Sequence, residues 1–153
     1  MATQLLALHI DLLGPGPFQL PLLVQLGASL ETVEDKNQVV AQFLSDDGKR
    51  IVTTISFRAV EQFLDLHESA PLTRAALSEP QPIDLSQPAF AYELPNFASF
   101  DGYFQRGPGR RTLILSTEHT QKVLFPLDSS TYCRLAGQLT FSIYFYRRRR
   151  RRQ

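Results

Sequence analysis

The residues of this chain best suited to metal ligation or nucleophilic chemistry are three histidines, His9, His67 and His119, and one cysteine, Cys133. They lie far apart, in different expected elements, and no pair has the close spacing of a zinc or haem motif. A nucleophilic couple of Cys133 and His119 requires the two to meet in space. Cys133 falls between core positions of an expected helix, where an inert buried thiol is the ordinary reading. Glu34-Asp35 and Asp46-Asp47 are the paired carboxylates. Acid–base chemistry uses two carboxyls whose pKa values are pushed apart, but both pairs fall in expected turns, where carboxylates stay solvated and bond the local backbone. Gly14-Pro15-Gly16-Pro17 and Gly107-Pro108-Gly109 carry proline where a phosphate cradle needs free amides, and neither ends in the Lys-Ser/Thr of a P-loop. The sequence therefore supplies no catalytic motif and calls for no cofactor and no metal.

Two stretches point to binding instead. In Tyr103-Phe104-Gln105-Arg106-Gly107-Pro108-Gly109-Arg110-Arg111, aromatic rings stand beside arginines. Single-stranded nucleic acid suits that mixture, since bases stack on rings while guanidinium groups neutralise phosphate. Tyr103, Phe104, Arg106, Arg110 and Arg111 are the candidate contacts, set against the plainer reading of a polar loop whose aromatics belong to the core. The second stretch is Arg147, Arg148, Arg149, Arg150, Arg151 and Arg152. Six adjacent like charges repel one another, are expected to be disordered, and attract RNA, DNA or acidic surfaces through counterion release. A nuclear-type address, a purification tag and a solubility tail are rival readings of the run.

The elements that position these residues are legible as patterns. Leu5 to Leu13 alternates, with Leu6, Leu8, Ile10 and Leu12 on one face, as a half-buried strand does. Phe18, Leu20, Leu22, Val24 and Leu26 alternate again, with Pro21 marking an edge or a bulge. Gln38 to Leu44 and Arg50 to Ile55 flank Ser45-Asp46-Asp47-Gly48-Lys49, whose Asp-Gly suits a tight hairpin. Phe57, Val60, Phe63, Leu64 and His67 then follow helical spacing after a capping Ser56. Residues 68–88 hold four prolines and read as a connection, with one helical turn expected around Thr73 to Leu77.

The second half repeats the plan. Phe90, Tyr92 and Leu94 alternate, Phe97 to Phe104 reads as an aromatic strand, and Arg111 to Ser116 with Lys122 to Leu127 forms a hairpin. Asp128 caps a helix bearing Tyr132, Leu135, Ala136 and Leu139, and the alternating run Phe141 to Tyr146 is expected to add a last strand. Laying Ile55-Ser56 on Leu127-Asp128 also places Ile51 on Val123 and Phe63 on Leu135. A tandem duplication accounts for this, and so does the commonness of hairpin-plus-helix patterns.

The expected fold is α+β, with mainly antiparallel strands in two similar halves, each of about four strands closed by one helix. One globular domain spans 1–146, with halves 1–67 and 89–146 joined by 68–88, and 147–153 forms the poly-arginine tail. At 43% hydrophobic residues the chain can bury a core unaided. The single cysteine excludes an internal disulfide and suits a reducing, cytoplasmic setting. The N-terminal residues show no export signal, and no stretch reaches the roughly 20 apolar residues of a membrane span. The formal charge of +1 hides a mildly acidic body, because six of the sixteen basic residues sit in the tail against fifteen acidic ones, leaving about −5 elsewhere.

Gln38 to His67 and its counterpart Arg111 to Leu139, with strands before each, resemble the layout of the Whirly proteins, which look like a fused pair of the single unit of a transcriptional-coactivator group. The basic, small-residue strand motif of Whirly proteins is absent from this sequence. The resemblance implies single-stranded DNA or RNA binding across a sheet, and oligomers. The reading reached is a non-catalytic, single-stranded nucleic-acid-binding protein. The alternative is a protein–protein interaction or assembly module, in which the aromatic strands Phe90 to Tyr103 or Phe141 to Tyr146 pair with a protein partner or a second copy.

Overall fold

The computed structural model describes residues 7–27, 30–66, 77–105, 108–144 and 148. Its two long hairpins are set by local chemistry. Strands β5 (Gln38–Ser45) and β6 (Arg50–Ser56) turn through Gly48, whose φ of 85° is costly for any residue with a side chain. The Gly48 amide donates to the Ser45 carbonyl at 3.0 Å and the Lys49 amide to Ser45 Oγ at 2.9 Å. Each hairpin runs straight into a capped helix. In α1 (Phe57–Leu66) the Ala59 amide donates to Ser56 Oγ at 3.2 Å; in α2 (Ser129–Ser142), which follows β10 (Arg110–Thr117) and β11 (Lys122–Asp128), the Thr131 amide donates to Asp128 Oδ1 at 2.8 Å. Each cap satisfies a helix N–H that has no partner inside the helix.

The remaining strands are β1 (Leu8–His9), β2 (Phe18–Gln19), β3 (Leu23–Leu26), β4 (Glu31–Val33), β7 (Gln81–Pro82), β8 (Tyr92–Glu93) and β9 (Phe97–Gln105). The fold is α+β, as expected, and its sheet is mixed. A ring of strands β6-β9-β10-β11-β3-β5 returns to β6 and closes a barrel. Four of its ladders are antiparallel. The other two joins are parallel and short: Ile55 lies beside Phe97, and Leu127 beside Leu23. Outside the ring, β1 pairs with β8, β7 with β2, and β4 with β5.

One core fills the barrel and the space under the helices. Phe43 from β5, Phe97 from β9 and Phe125 from β11 meet at its centre, with ring centroids 5.9 Å apart for Phe43 and Phe125 and 5.2 Å for Phe97 and Phe125. Tilted and edge-on contacts of this kind suit the aromatic quadrupole. α1 adds Phe57, Ala59, Val60 and Phe63, and α2 with its C-cap adds Tyr132, Leu135, Leu139 and Ile143. A smaller cluster of Phe104, Ile114 and Leu124 lies apart, with Leu77 packed against it.

Several expectations need correction. The strand expected over 18–26 is broken at Pro21, and a bulge between Leu23 and Gln25 shifts its frame, so that Leu23 is buried while Val24 turns outward. Pro21 cannot donate to a ladder, which is why the pairing lapses there. Of the expected first strand only Leu8–His9 is paired; Ile10 is buried and His9 and Asp11 are exposed, as the alternation requires, while Leu5 and Leu6 lie outside the described residues. Within the connection, whose order the sequence leaves open, β7 pairs with β2 and Leu85 is buried; residues 67–76 lie outside the described ones. Cys133 is on a helix but faces outward, so the buried thiol was wrongly expected.

The largest correction concerns the C-terminal end. No strand follows α2 at Phe141; the helix continues to Ser142 instead, while Phe145 and Tyr146 lie outside the described residues. The spacing Leu135, Leu139, Ile143 keeps the helical period and buries all three, whereas Phe141 is 77% exposed. A strand would put Phe141 and Ile143 on one face, and the helix puts them on opposite ones. Ile143→Ala is therefore expected to cost about 2–4 kcal/mol and Phe141→Ala under about 0.5 kcal/mol, read by urea denaturation. Equal costs would restore the strand.

Candidate functional site

The aromatic–arginine stretch forms the end of β9 and the start of β10. Arg111 pairs in register with Gln105 and Leu127, and Leu113 with Tyr103. Tyr103 and Phe104 are 8% and 7% exposed, so both rings serve the core. Tyr103 has a second task. The Arg111 guanidinium lies 5.0 Å from its centroid and 4.4 Å from that of Tyr132 on α2, so two phenol rings fix one cation. Arg110 is exposed next to it. Arg106, Arg147 and Arg149 to Arg152 lie outside the described residues, and Arg148 is exposed.

Tyr132 is buried, and among the described residues its hydroxyl makes no hydrogen bond of good geometry. Burial pushes its phenol above the usual tyrosine range, against the opposing pull of the Arg111 charge.

On α2, Tyr132 looks toward Arg111 while Arg134 opens onto the outside. Arg134 lines a groove of about 340 Å³ with Gln25, Leu26 and Gly27 of the β3 end, Gln42, Phe43 and Leu44 of β5, and Arg50 of β6. No carboxylate of the described residues lines it. Arg50 also stacks 4.8 Å from the ring of Phe90, which is 61% exposed. Neither Arg50, Arg134, Arg110 nor Arg111 has an ion pair among the described residues. The two carboxylates nearest in sequence are engaged locally, Asp128 as the α2 cap and Asp47 by the Ser45 hydroxyl.

These arginines sit along one end of the barrel. Arg111 is beside Leu127, Leu127 beside Leu23, Leu23 beside Ser45, and the adjacent Leu44 beside Arg50. Four strand-to-strand steps of about 4.8 Å put roughly 19 Å of sheet between the first arginine and the last. Sequence reasoning named Arg110 and Arg111 but missed Arg50, Arg134, Gln25, Gln42 and Phe90. They come from five separate segments, and no local pattern joins them.

No family model, curated protein or solved structure matches this chain. The chemistry must therefore be read from its own side chains. His9 Nδ1 is 3.5 Å from Glu93 Oε2, and both side chains are largely exposed. His119 and Cys133 lie beyond opposite ends of β11, so the structure does not bring them together. His67 is outside the described residues, and among those described no group of three His, Cys, Asp or Glu is placed to hold a metal ion. No described helix is long and apolar enough to cross a membrane.

A second polar cluster lies across β9, β10 and β11. Asp101 is the extra residue of a β-bulge, since Phe100 opposes Leu115 and Gly102 opposes Ile114. The bulge aims its carboxylate at Lys122, whose Nζ donates to Oδ2 at 2.6 Å; Ser116 Oγ donates to the same oxygen and Ser99 Oγ to Oδ1 at 3.2 Å. Nearby, the Phe100 amide donates to Gln62 Oε1 of α1 at 3.0 Å. Every charge here has its partner within the chain.

The buried phenol gives a test of the clamp. Tyr132→Phe keeps the ring over Arg111 and removes a buried hydroxyl, so stability near neutral pH should be unchanged or rise by up to about 1 kcal/mol. Because the folded state holds the Tyr132 proton more tightly than the unfolded state, its contribution is full below about pH 10 and is lost as pH rises through the folded value. Thermal melts at pH 9 to 11.5 should therefore fall less steeply for Tyr132→Phe than for the parent chain. Parallel curves would mean that the phenol titrates as it does in water.

Proposed function

We propose that this is a non-catalytic binding protein whose ligand is single-stranded nucleic acid, held along the barrel end that carries Arg110, Arg111, Arg134 and Arg50. The carrying observation is that these four arginines gather at one end of the barrel with no ion pair among the described residues. Guanidinium groups contact phosphate, the Gln25 and Gln42 amides offer donors and acceptors to base edges, and exposed Phe90 offers a stacking face beside Arg50. The buried Tyr103 acts in this reading by supporting Arg111 rather than by stacking on bases, and Phe104 belongs to the small apolar cluster with Ile114 and Leu124. The tail Arg147 to Arg152 adds contacts without sequence preference. The proposed setting is cytoplasmic.

The reading includes a duplicated architecture of two strand-rich halves, each closed by a helix, and with it the resemblance to Whirly proteins. Matching registers support it: Ile55 with Phe97 against Leu127 with Leu23, Ile51 with Tyr92 against Val123 with Phe18, and Leu8 with Tyr92 against Gln81 with Phe18. Ser56 and Asp128 cap corresponding helices.

The test is a titration of a labelled single-stranded oligonucleotide at several salt concentrations. Binding is expected to weaken linearly in log–log form. Arg50→Ala with Arg134→Ala should lower the slope by about 1.4, at roughly 0.7 per lost phosphate contact, and ending the chain at residue 146 should weaken binding further. Binding at low salt no tighter than that of an acidic control protein without the tail ends the proposal.

A second reading, an assembly module, is favoured by Phe141 and Leu13, which are 77% and 84% exposed. Sedimentation should then show a self-associated species that Phe141→Ser dissociates; a monomer across the micromolar range speaks against self-assembly.

A further inference from the structure

The groove between Arg50 and Arg134 has a counterpart elsewhere in the barrel. Gln25 faces Leu44 and Leu26 faces Phe43 as Ser99 faces Ser116 and Phe100 faces Leu115. Leu44 opposes Arg50 as Ser116 opposes Lys122. Counted from the first residues of their helices, Phe57 and Ser129, Gln62 and Arg134 hold the same place. Arg50 thus stands where Lys122 stands and Arg134 where Gln62 stands. Gly27, whose amide donates to the Gln42 carbonyl at 2.8 Å, holds the place of Gly102, which faces Ile114; Asp101, the extra residue of its bulge, has no counterpart on this side.

The two places differ in one respect that matters electrostatically. Around Lys122 the chain supplies its own anion, the Asp101 carboxylate, and closes the space with it. Around Arg50 that extra residue is missing and no carboxylate takes its place: the groove wall there is Gly27, which has no side chain, and a second cation is added in Arg134. Packing does not force this glycine. A Cβ placed on Gly27 would meet only Gln42 Cβ at 3.5 Å and the Gln42 carbonyl at 3.6 Å, which are ordinary contacts, and its φ lies outside the left-handed region. What the missing side chain does is leave the groove open.

We infer that this groove is a seat for the oxyanion of a small organic acid, a carboxylate or a phosphate ester, whose acidic oxygens take the place that Asp101 fills beside Lys122. Guanidinium forks match carboxylate and phosphate bidentately, so two of them facing one space suit such a group better than lysine does. The Gln25 and Gln42 amides supply further donors, and Leu26, Phe43 and Leu44 give the ligand body an apolar wall. A volume of about 340 Å³ exceeds what the acidic group alone occupies and lies within the range of ligand sites. The inference does not rest on nucleic-acid binding, which uses the whole arginine row and the tail.

The experiment is calorimetric titration of the full chain at low salt with inorganic phosphate and, separately, with succinate. One-to-one binding of at least one probe is expected, and whichever binds more tightly assigns the acid class. Arg50→Gln and Arg134→Gln should each weaken it tenfold or more. Gly27→Asp, which brings a carboxylate into the groove that Gly27 lines, should abolish binding while leaving the melting temperature unchanged or higher. Failure of both probes to bind at millimolar concentration overturns the inference, and so does a folded Gly27→Asp variant that binds like the parent. Should Gly27→Asp fail to fold, the two exposed arginine variants decide alone, and unchanged affinity in both overturns it.

Discussion

Phe125 touches Phe97 on one side and Phe43 on the other, and this three-ring contact links β11, β9 and β5 across the barrel interior. The ladder hydrogen bonds tie each strand only to its neighbours. The rings tie strands that are not adjacent, and they do so where backbone pairing is thinnest, since each parallel join rests on a single registered pair. Both helices then pack on the same apolar surface, α1 through Phe63, whose ring meets Phe100 at 5.3 Å, and α2 through Tyr132, Leu135 and Leu139. Burial of several such side chains, each contributing roughly 1.5–3 kcal/mol, outweighs anything the surface ion pairs contribute.

The same core determines where charge can gather. Tyr132 is held by Phe63 from one direction, with ring centroids 6.0 Å apart, and so presents a fixed face to Arg111. A guanidinium restrained in this way loses less side-chain entropy when it meets an anion than a free surface arginine does. Arg134, two residues further along α2, is carried to the groove by the rigid helix, and Arg50 by the first pairing residue of β6. Cations on three elements thereby gather at one end of the barrel although the body of the chain is acidic overall.

Features specified by a few adjacent residues were readable from sequence. Asp47-Gly48 encodes its turn, Ser56 and Asp128 encode their caps, and both hairpins and both helix starts follow. Features that depend on distant residues were not. Nothing near Ile55 or Leu23 signals a parallel partner, so closure of the sheet into a barrel could not be read. The Phe141 to Tyr146 run alternates as a strand does, yet Leu135, Leu139 and Ile143 offer a helical stripe that the core accepts, and tertiary burial overrides local pattern. At the candidate site the sequence showed arginine beside aromatic residues, but not that Tyr103 and Phe104 are both buried, in separate clusters, nor that Arg50 and Arg134 share a groove.

The two parallel joins also bear on how the chain reaches its fold. Each antiparallel hairpin brings together residues that are near neighbours in sequence, and each can form early with its helix. Joining Ile55 to Phe97 and Leu23 to Leu127 requires closing long loops of chain whose entropy is lost before the contacts return anything. Ring closure is therefore the slow event, and it falls on the strands with the least backbone pairing. Until it occurs, β6 and β11 each present an unpaired edge, so the period before closure is when this protein is most exposed to association with other chains.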